Sequence, residues 1–200
     1  MKIVSLARTS ASVLLLLIVA GCASYSMVGS GTHSLKGMKV TTDTAWNKAP
    51  SNAVFGGRQT WTQDGLMLNQ LTFFEGIEDG DTLYKVSKKE EFPPFTSDLL
   101  AHEIMEIFEA SLSKLSQTSV ASTANLKPMT FGGHSGFRFE YSYVAADDVA
   151  RQGMAAAAVV EDKLYMISFE APTESPSLGP LKWPPIPGIL LRAAPLNWLW

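Results

Sequence analysis

Four aromatic residues between positions 137 and 143 alternate with polar residues, and this alternation limits the possible folds more than any other feature of the sequence. The aromatic residues are Phe137, Phe139, Tyr141 and Tyr143, separated by Arg138, Glu140 and Ser142. A period of two places the four rings on one face of a β-strand. The sequence therefore predicts a strand whose aromatic face is buried as core against another layer. A ligand groove lined by the same rings is the alternative.

A second pattern predicts one amphipathic helix over residues 97–115. Pro93 and Pro94 end the preceding segment, and Thr96 or Ser97 can cap the first helical turn. Apolar residues recur at helical spacing on one side, namely Leu100, Ala101, Ile104, Met105, Ile107, Phe108, Leu112 and Leu115. The other side carries His102, Glu103, Glu106, Glu109 and Lys114. We expect the apolar side to pack on a sheet and the acidic side to face water.

Turn dipeptides divide the remaining sequence into strands. Asp64-Gly65 predicts a two-residue hairpin turn between segments 58–63 and 66–74, and Asp79-Gly80 precedes a possible strand at 82–86. Residues 119–129 are predicted as a strand, residues 131–136 as a loop, and segments 153–160 and 163–169 as a final hairpin. Strands, then a long helix, then further strands predict an α+β fold, with an antiparallel sheet packed by one long helix.

Three short motifs resemble a known family. They are Glu91-Phe92-Pro93-Pro94-Phe95 before the helix, Phe131-Gly132-Gly133 with Gly136-Phe137-Arg138, and Lys163-Leu164-Tyr165. Across residues 40 to 172 the chain resembles the PsbP-like αβα sandwich of small extracytoplasmic proteins. The resemblance implies an assembly factor or binding module more often than an enzyme. A domain of this layout is expected to end in a second helix, which the sequence lacks.

The amino-terminal residues have the layout of a secretory signal. Lys2 and Arg8 precede an apolar run at 13–20, which is shorter than the roughly 20 residues that a membrane-spanning helix requires. The order Val19-Ala20-Gly21-Cys22 resembles the bacterial lipobox, which implies cleavage before Cys22 and acyl chains on that residue. Ala23 follows, which in Gram-negative lipoproteins implies release to the outer membrane. An ordinary signal peptide followed by a free thiol is the alternative.

Cysteine count and charge exclude several classes of function. Cys22 is the only cysteine, so disulfides, thiolate zinc clusters and a Cys-x-x-Cys redox pair are excluded. Without Lys2 and Arg8, 14 basic residues face 19 acidic ones, a formal charge of −5, which argues against nucleic acid as a partner. Membrane attachment would therefore depend on the acyl chains. The predicted division is a signal peptide at 1–21, a Ser/Gly-rich tether at 22–36, the α+β domain at 37–172 and an irregular tail at 173–200.

The tail is rich in proline and tryptophan. Seven of the 11 prolines and three of the five tryptophans lie between Pro172 and Trp200. Proline at this density prevents a long helix. Three interpretations are open: a shifted reading frame that replaced the natural carboxy-terminal helix, an irregular segment that covers the core, or an interfacial membrane segment.

Few residues suggest catalysis or metal binding. Ser135 lies in a glycine-rich stretch, but the G-x-S-x-G elbow requires glycine at the position of Phe137. His102 and Glu106 are four residues apart and could share a metal, although a solvated helix face is the simpler interpretation. A third group could collect Ca²⁺ but lacks EF-hand spacing; it comprises Glu75, Glu78, Asp79 and Asp81. We predict no catalytic, metal or cofactor site.

The sequence predicts an outer-membrane lipoprotein, anchored through Cys22, whose domain binds or scaffolds an unknown protein partner in the periplasm. One alternative is a hydrolase-like envelope enzyme that uses His102 and Glu106 or the loop around Ser135. The other is a purely structural envelope protein.

Overall fold

A computed structural model of the chain describes residues 24–85, 91–117, 121–174 and 189–192. The predicted signal peptide, the lipobox with Cys22 and most of the predicted tail lie outside these ranges. In the described part, no helix has the length and apolar character needed to cross a membrane.

An antiparallel sheet of eight strands forms the centre of the molecule. In spatial order its strands are β1 (Ser26–Val28), β4 (Trp46–Lys48), β5 (Gln59–Thr62), β6 (Gln70–Ile77), β10 (Lys163–Pro172), β9 (Ala150–Val160), β8 (His134–Val144) and β7 (Ser122–Phe131). The central strands are long and largely buried, as a sheet covered on both faces requires.

A small second sheet covers one face of the large sheet. It consists of β2 (Gly31–Leu35), β3 (Met38–Thr42) and β11 (Ile189–Arg192), with β3 in the middle. Met38 and Val40 from β3 pack with Trp61 and Phe73 of the large sheet in one hydrophobic core. The Ser/Gly-rich segment predicted as a tether thus contributes β1 and β2, and residues 189–192 of the predicted tail form β11.

One α-helix, α1 (Ala101–Ser116), packs on the opposite face over β7 and β8. Ile104, Phe108 and Leu112 are buried, as the helical periodicity predicted. The ring centre of Phe108 lies 5.2 Å from that of Phe139 and 4.9 Å from that of Tyr141. The four alternating rings of β8 are therefore core residues.

The helix begins later than predicted because its capping residues differ. Leu100 occupies the N-cap position, and its amide donates to the Glu103 carboxylate at 2.7 Å. Thr96 and Ser97, the predicted caps, instead bond to Asp98 and Asp79. At the start of the helix, the Leu100 amide is thus bonded to the carboxylate of Glu103, three residues downstream. Among the described residues, no hydroxyl upstream of the helix takes the role that was predicted for Thr96 or Ser97.

The predicted fold class, α+β with one long amphipathic helix packing the sheet, is wrong, because the described chain is a β-rich antiparallel fold with a single helix of 16 residues. The helix packs mainly over β7 and β8, and Phe108 also reaches Phe74 of β6. The opposite face is closed by a small sheet, so the predicted αβα layering is not formed. The sequence shows the periodicity of the one helix strongly, and the number of short strands in the fold was therefore underestimated.

Two hairpins form with turns that match the sheet twist. The hairpin between segments 153–160 and 163–169 was predicted, whereas the loop predicted at 131–136 is reduced to the two residues between β7 and β8. Glu161 and Asp162 join β9 to β10 with φ of 51° and 57°, and Gly132 and Gly133 join β7 to β8 with φ of 59° and 89°. The strand predicted at 82–86 contributes a single bridge, from Thr82 to Pro94; its last residue lies outside the described ranges.

Candidate functional site

The candidate catalytic serine does not lie in a nucleophile elbow. Ser135 is exposed on β8, after the turn that joins two strands. An elbow requires a turn from a strand into a helix. His102 and Glu106 are exposed on α1, and the residues that the structure describes contain no group of three or more possible metal ligands.

The acidic residues that were considered for Ca²⁺ binding interact with different parts of the protein. Glu78 pairs with the Lys163 ammonium at 2.7 Å, and this hydrogen bond lowers the pKa of Glu78. Asp79 accepts from the Ser97 amide at 2.7 Å and from its hydroxyl at 3.3 Å. Burial raises the pKa of Glu75, which lies on β6. These carboxylates therefore serve loop and sheet contacts and form no shared cation site.

A half-buried carboxylate on the sheet accepts hydrogen bonds from two tyrosines. Glu170 on β10 accepts from Tyr143 at 2.7 Å and from Tyr141 at 3.2 Å. Burial raises the pKa of Glu170, although both hydrogen bonds and the nearby Arg151 act to lower it. Burial also raises the pKa of both tyrosines, with the charge of Glu170 as the second cause. The phenols therefore remain protonated donors.

A glycine on the intervening strand allows this contact. Tyr141 on β8 and Glu170 on β10 both pair with Gly153 on β9. A Cβ at Gly153 would lie 2.5 Å from Cζ of Tyr141 and 2.7 Å from its hydroxyl oxygen. The absence of a side chain therefore lets the tyrosine lie across β9 and reach the carboxylate.

Arg151 connects this cluster to a loop at the end of the sheet. Its side chain is buried, and Nη1 donates to the Met67 carbonyl at 3.2 Å. Nη2 lies 3.5 Å from Asp147 Oδ2. The buried guanidinium of Arg151 thus links the loop after β5 to the loop after β8. Its charge also acts on the nearby Glu170.

The loop between β5 and β6 is held by a buried asparagine. The predicted two-residue turn at Asp64-Gly65 is wrong, because residues 63–69 separate the two strands. The Asn69 carbonyl oxygen accepts from the Thr62 hydroxyl at 2.8 Å and from the Gln63 and Asp64 amides at 2.9 and 3.4 Å. Its amide nitrogen donates to Asp64 at 2.6 Å. The Asn69 side chain thereby accepts hydrogen bonds from loop amides that would bond to backbone carbonyls in a shorter turn.

The tip of this ordered loop exposes two large apolar side chains. Met67 is 61% exposed and Leu68 is 49% exposed. Their backbone is fixed, because the Leu68 amide donates to the Gly65 carbonyl at 2.9 Å and Arg151 holds the Met67 carbonyl. We name residues 63–69 the docking loop.

An open cleft lies at the other end of the sheet, beside the amino terminus of α1. Its volume is about 460 Å³, and its lining includes Leu99 and Ile104 from the helix side and Leu126, Lys127 and Phe137 from β7 and β8. Phe137 lines the cleft, whereas Tyr143 pairs with Arg151, which bonds to the docking loop. These two residues are six positions apart on β8, a distance of about 20 Å along the strand. The cleft and the docking loop are therefore separate places.

Sequence reasoning missed Glu170, Arg151 and Asn69. A charged residue within an otherwise apolar strand was the available signal for Glu170, since such residues are seldom buried without a partner. Asn69 gave no local signal, because its role depends on the length of the loop it closes.

Comparison with known proteins finds a similar solved structure. The chain is similar to the solution structure of cyanobacterial PsbP (CyanoP) from Synechocystis sp. PCC 6803, with 14% sequence identity and a TM-score of 0.46. The match covers 78% of this chain and 85% of that chain. No protein-family model and no curated protein matches the sequence. The similar structure is PsbP-like, and the comparison assigns no role to any residue of this chain.

Proposed function

We propose that this chain is an outer-membrane lipoprotein, anchored through acyl chains on Cys22, whose domain binds a protein partner in the periplasm through the docking loop. The observation that carries the binding role is the exposure of Met67 and Leu68 on a loop that several hydrogen bonds hold in place. The lipobox and the secretory layout of residues 1–22 support the anchoring.

The order of the docking loop favours binding. A loop that is fixed before it meets a partner avoids the entropic cost of ordering its residues on association. Met67 and Leu68 would remove apolar area from water on association, and full burial of a Leu or Met side chain contributes about 1.5–3 kcal/mol. The hydrogen bonds of Asn69 and Arg151 thus serve to present these two side chains.

The surroundings of the tip indicate the charge of the partner. Asp64, Asp147 and Asp148 lie in the docking loop and in the neighbouring loop, and the nearby Arg151 is buried. An anionic rim disfavours an anionic lipid surface. The partner surface is accordingly an apolar pocket with basic residues at its rim.

Site-specific crosslinking in cells tests the binding role. A photoreactive amino acid at position 67 should give one protein adduct of defined mass, whereas the same amino acid at Lys39, exposed on β3, should give none. Leu68→Asp, placed beside the crosslinker, should abolish the adduct. Equal adducts from both positions, or adducts only to lipid, would refute a protein partner.

Metabolic labelling with an alkyne-bearing palmitate tests the anchor separately. The chain should carry the label and sediment with the outer membrane. Cys22→Ser should lose the label and remain in the soluble periplasmic fraction. A labelled Cys22→Ser variant would contradict the lipobox.

A further inference from the structure

We infer that the cleft beside the amino terminus of α1 binds a single-chain amphiphile with a carboxylate head, such as a long-chain fatty acid. This site is independent of the docking loop, and neither proposal depends on the other.

Apolar side chains from four parts of the fold line the cleft, alongside polar groups of its side chains and backbone. Leu99 and Ile104 contribute from the start of the helix, Leu126 from β7, Phe137 from β8 and Val159 from β9. Ligand pockets in proteins commonly have volumes of about 300–1,000 Å³ and a mostly apolar lining. The 460 Å³ of this cleft suits an apolar ligand group of small-molecule size.

The cation in the lining selects the head of the ligand. Lys127 is exposed, and its ammonium makes no hydrogen bond or ion pair within the described part of the chain. Ser135 adds one hydroxyl to the lining. An unpaired ammonium and a hydroxyl beside an apolar cleft complement a carboxylate that is joined to an acyl chain.

The neighbouring sheet edge is unsuited to an extended peptide. β7 is the last strand of the sheet, but a register shift between Ala124 and Lys127 interrupts it, and Pro128 lacks an amide donor. Bulges, lysine and proline are features that prevent strand addition at an edge. A peptide bound here would leave some of its backbone N–H and C=O groups without partners. An acyl chain has no hydrogen-bonding groups that need partners.

Photolabelling of the full lipoprotein in phosphatidylcholine nanodiscs tests this inference. The probe is a long-chain fatty acid bearing a diazirine, and the adduct is mapped by mass spectrometry. The label should fall on residues 99–104 or 126–137, and unlabelled fatty acid should compete with it. The matching fatty alcohol should label these residues about fivefold less, as expected for the loss of one partly exposed ion pair.

Charge reversal provides the decisive comparison. Lys127→Glu should lower labelling about fivefold, whereas Lys127→Arg and the distant control Lys39→Glu should retain it. Near-ultraviolet circular dichroism should be the same for all three variants. Equal labelling of Lys127→Glu and Lys39→Glu, equal labelling by acid and alcohol, or adducts outside the cleft would each overturn the inference.

Discussion

The hydroxyl of Tyr143 donates to the carboxylate of Glu170 at 2.7 Å, across the strand that separates them in the sheet. Burial raises the pKa of this carboxylate, and the nearby Arg151 on the intervening strand opposes that rise, while its guanidinium donates to the docking loop. Arg151 therefore links Glu170, through its charge, to the exposed Met67, through a hydrogen bond.

Tyr143→Phe should lower the free energy of unfolding by about 1–2 kcal/mol, because a hydrogen bond to a half-buried carboxylate is lost. Chemical denaturation monitored by tryptophan fluorescence measures the change. Tyr141→Phe is the matched control, and its effect should be smaller because its bond to Glu170 is longer, at 3.2 Å. A larger loss for Tyr141→Phe would contradict the order of the two bonds.

Glu170→Gln should change how stability depends on pH. Burial raises the pKa of Glu170 in the folded protein above its ordinary value of 4.5, so the folded state binds this proton more tightly than the unfolded chain does. The resulting stability is fully present below pH 4.5 and is lost as the pH rises through the folded pKa.

Denaturation curves at several pH values test this prediction. The free energy of unfolding of Glu170→Gln, taken relative to the natural chain, should rise as the pH increases from acidic to neutral. A constant difference would show that the carboxyl has the same pKa in both states.

The parts of the fold that follow from local periodicity were predictable. The buried face of α1 and the aromatic face of β8 repeat at periods that the sequence shows directly. The β9–β10 hairpin was also predictable, since Glu161-Asp162 separates two apolar runs. These features depend on residues close together in sequence.

The fold class and the site depend on distant residues and were missed. β3 covers Trp61 and Phe73 through Met38 and Val40, residues that carry no signal of their partners. Arg151 and Met67 are 84 residues apart, so no spacing rule connects them. The carboxylate of Glu170 meets Tyr143 only because sheet order places β8 two strands away.

Gly153→Ala should destabilise the protein by about 1–3 kcal/mol, because its Cβ would overlap the ring of Tyr141 and the Phe169 carbonyl oxygen, at 2.5 and 2.4 Å. Thermal unfolding measures the loss. Gly29→Ala is the control, since no atom lies within 4 Å of its Cβ position, and it should leave stability unchanged. Similar unfolding temperatures for both variants would show that Tyr141 can keep its position when residue 153 carries a side chain.

Asn69→Ala should lower the free energy of unfolding by about 2–3 kcal/mol, because one buried amide group bonds to Thr62 at the end of β5 and to the loop residues Gln63 and Asp64. Asn47→Ala is the matched control. Asn47 is exposed and makes a single bond of 3.5 Å, to the Gln63 carbonyl, so its loss should cost no more than about 0.5 kcal/mol. Denaturant unfolding of both variants measures these costs.

The same pair of variants tests whether order in the docking loop serves binding. Asn69→Ala should weaken the crosslink from position 67 and speed proteolysis between residues 63 and 69, because Met67 and Leu68 are then no longer held for the partner. Asn47→Ala should leave both measurements unchanged. A full crosslink from an Asn69→Ala loop that is cleaved faster would mean that the partner orders the loop itself, and that the asparagine serves stability alone.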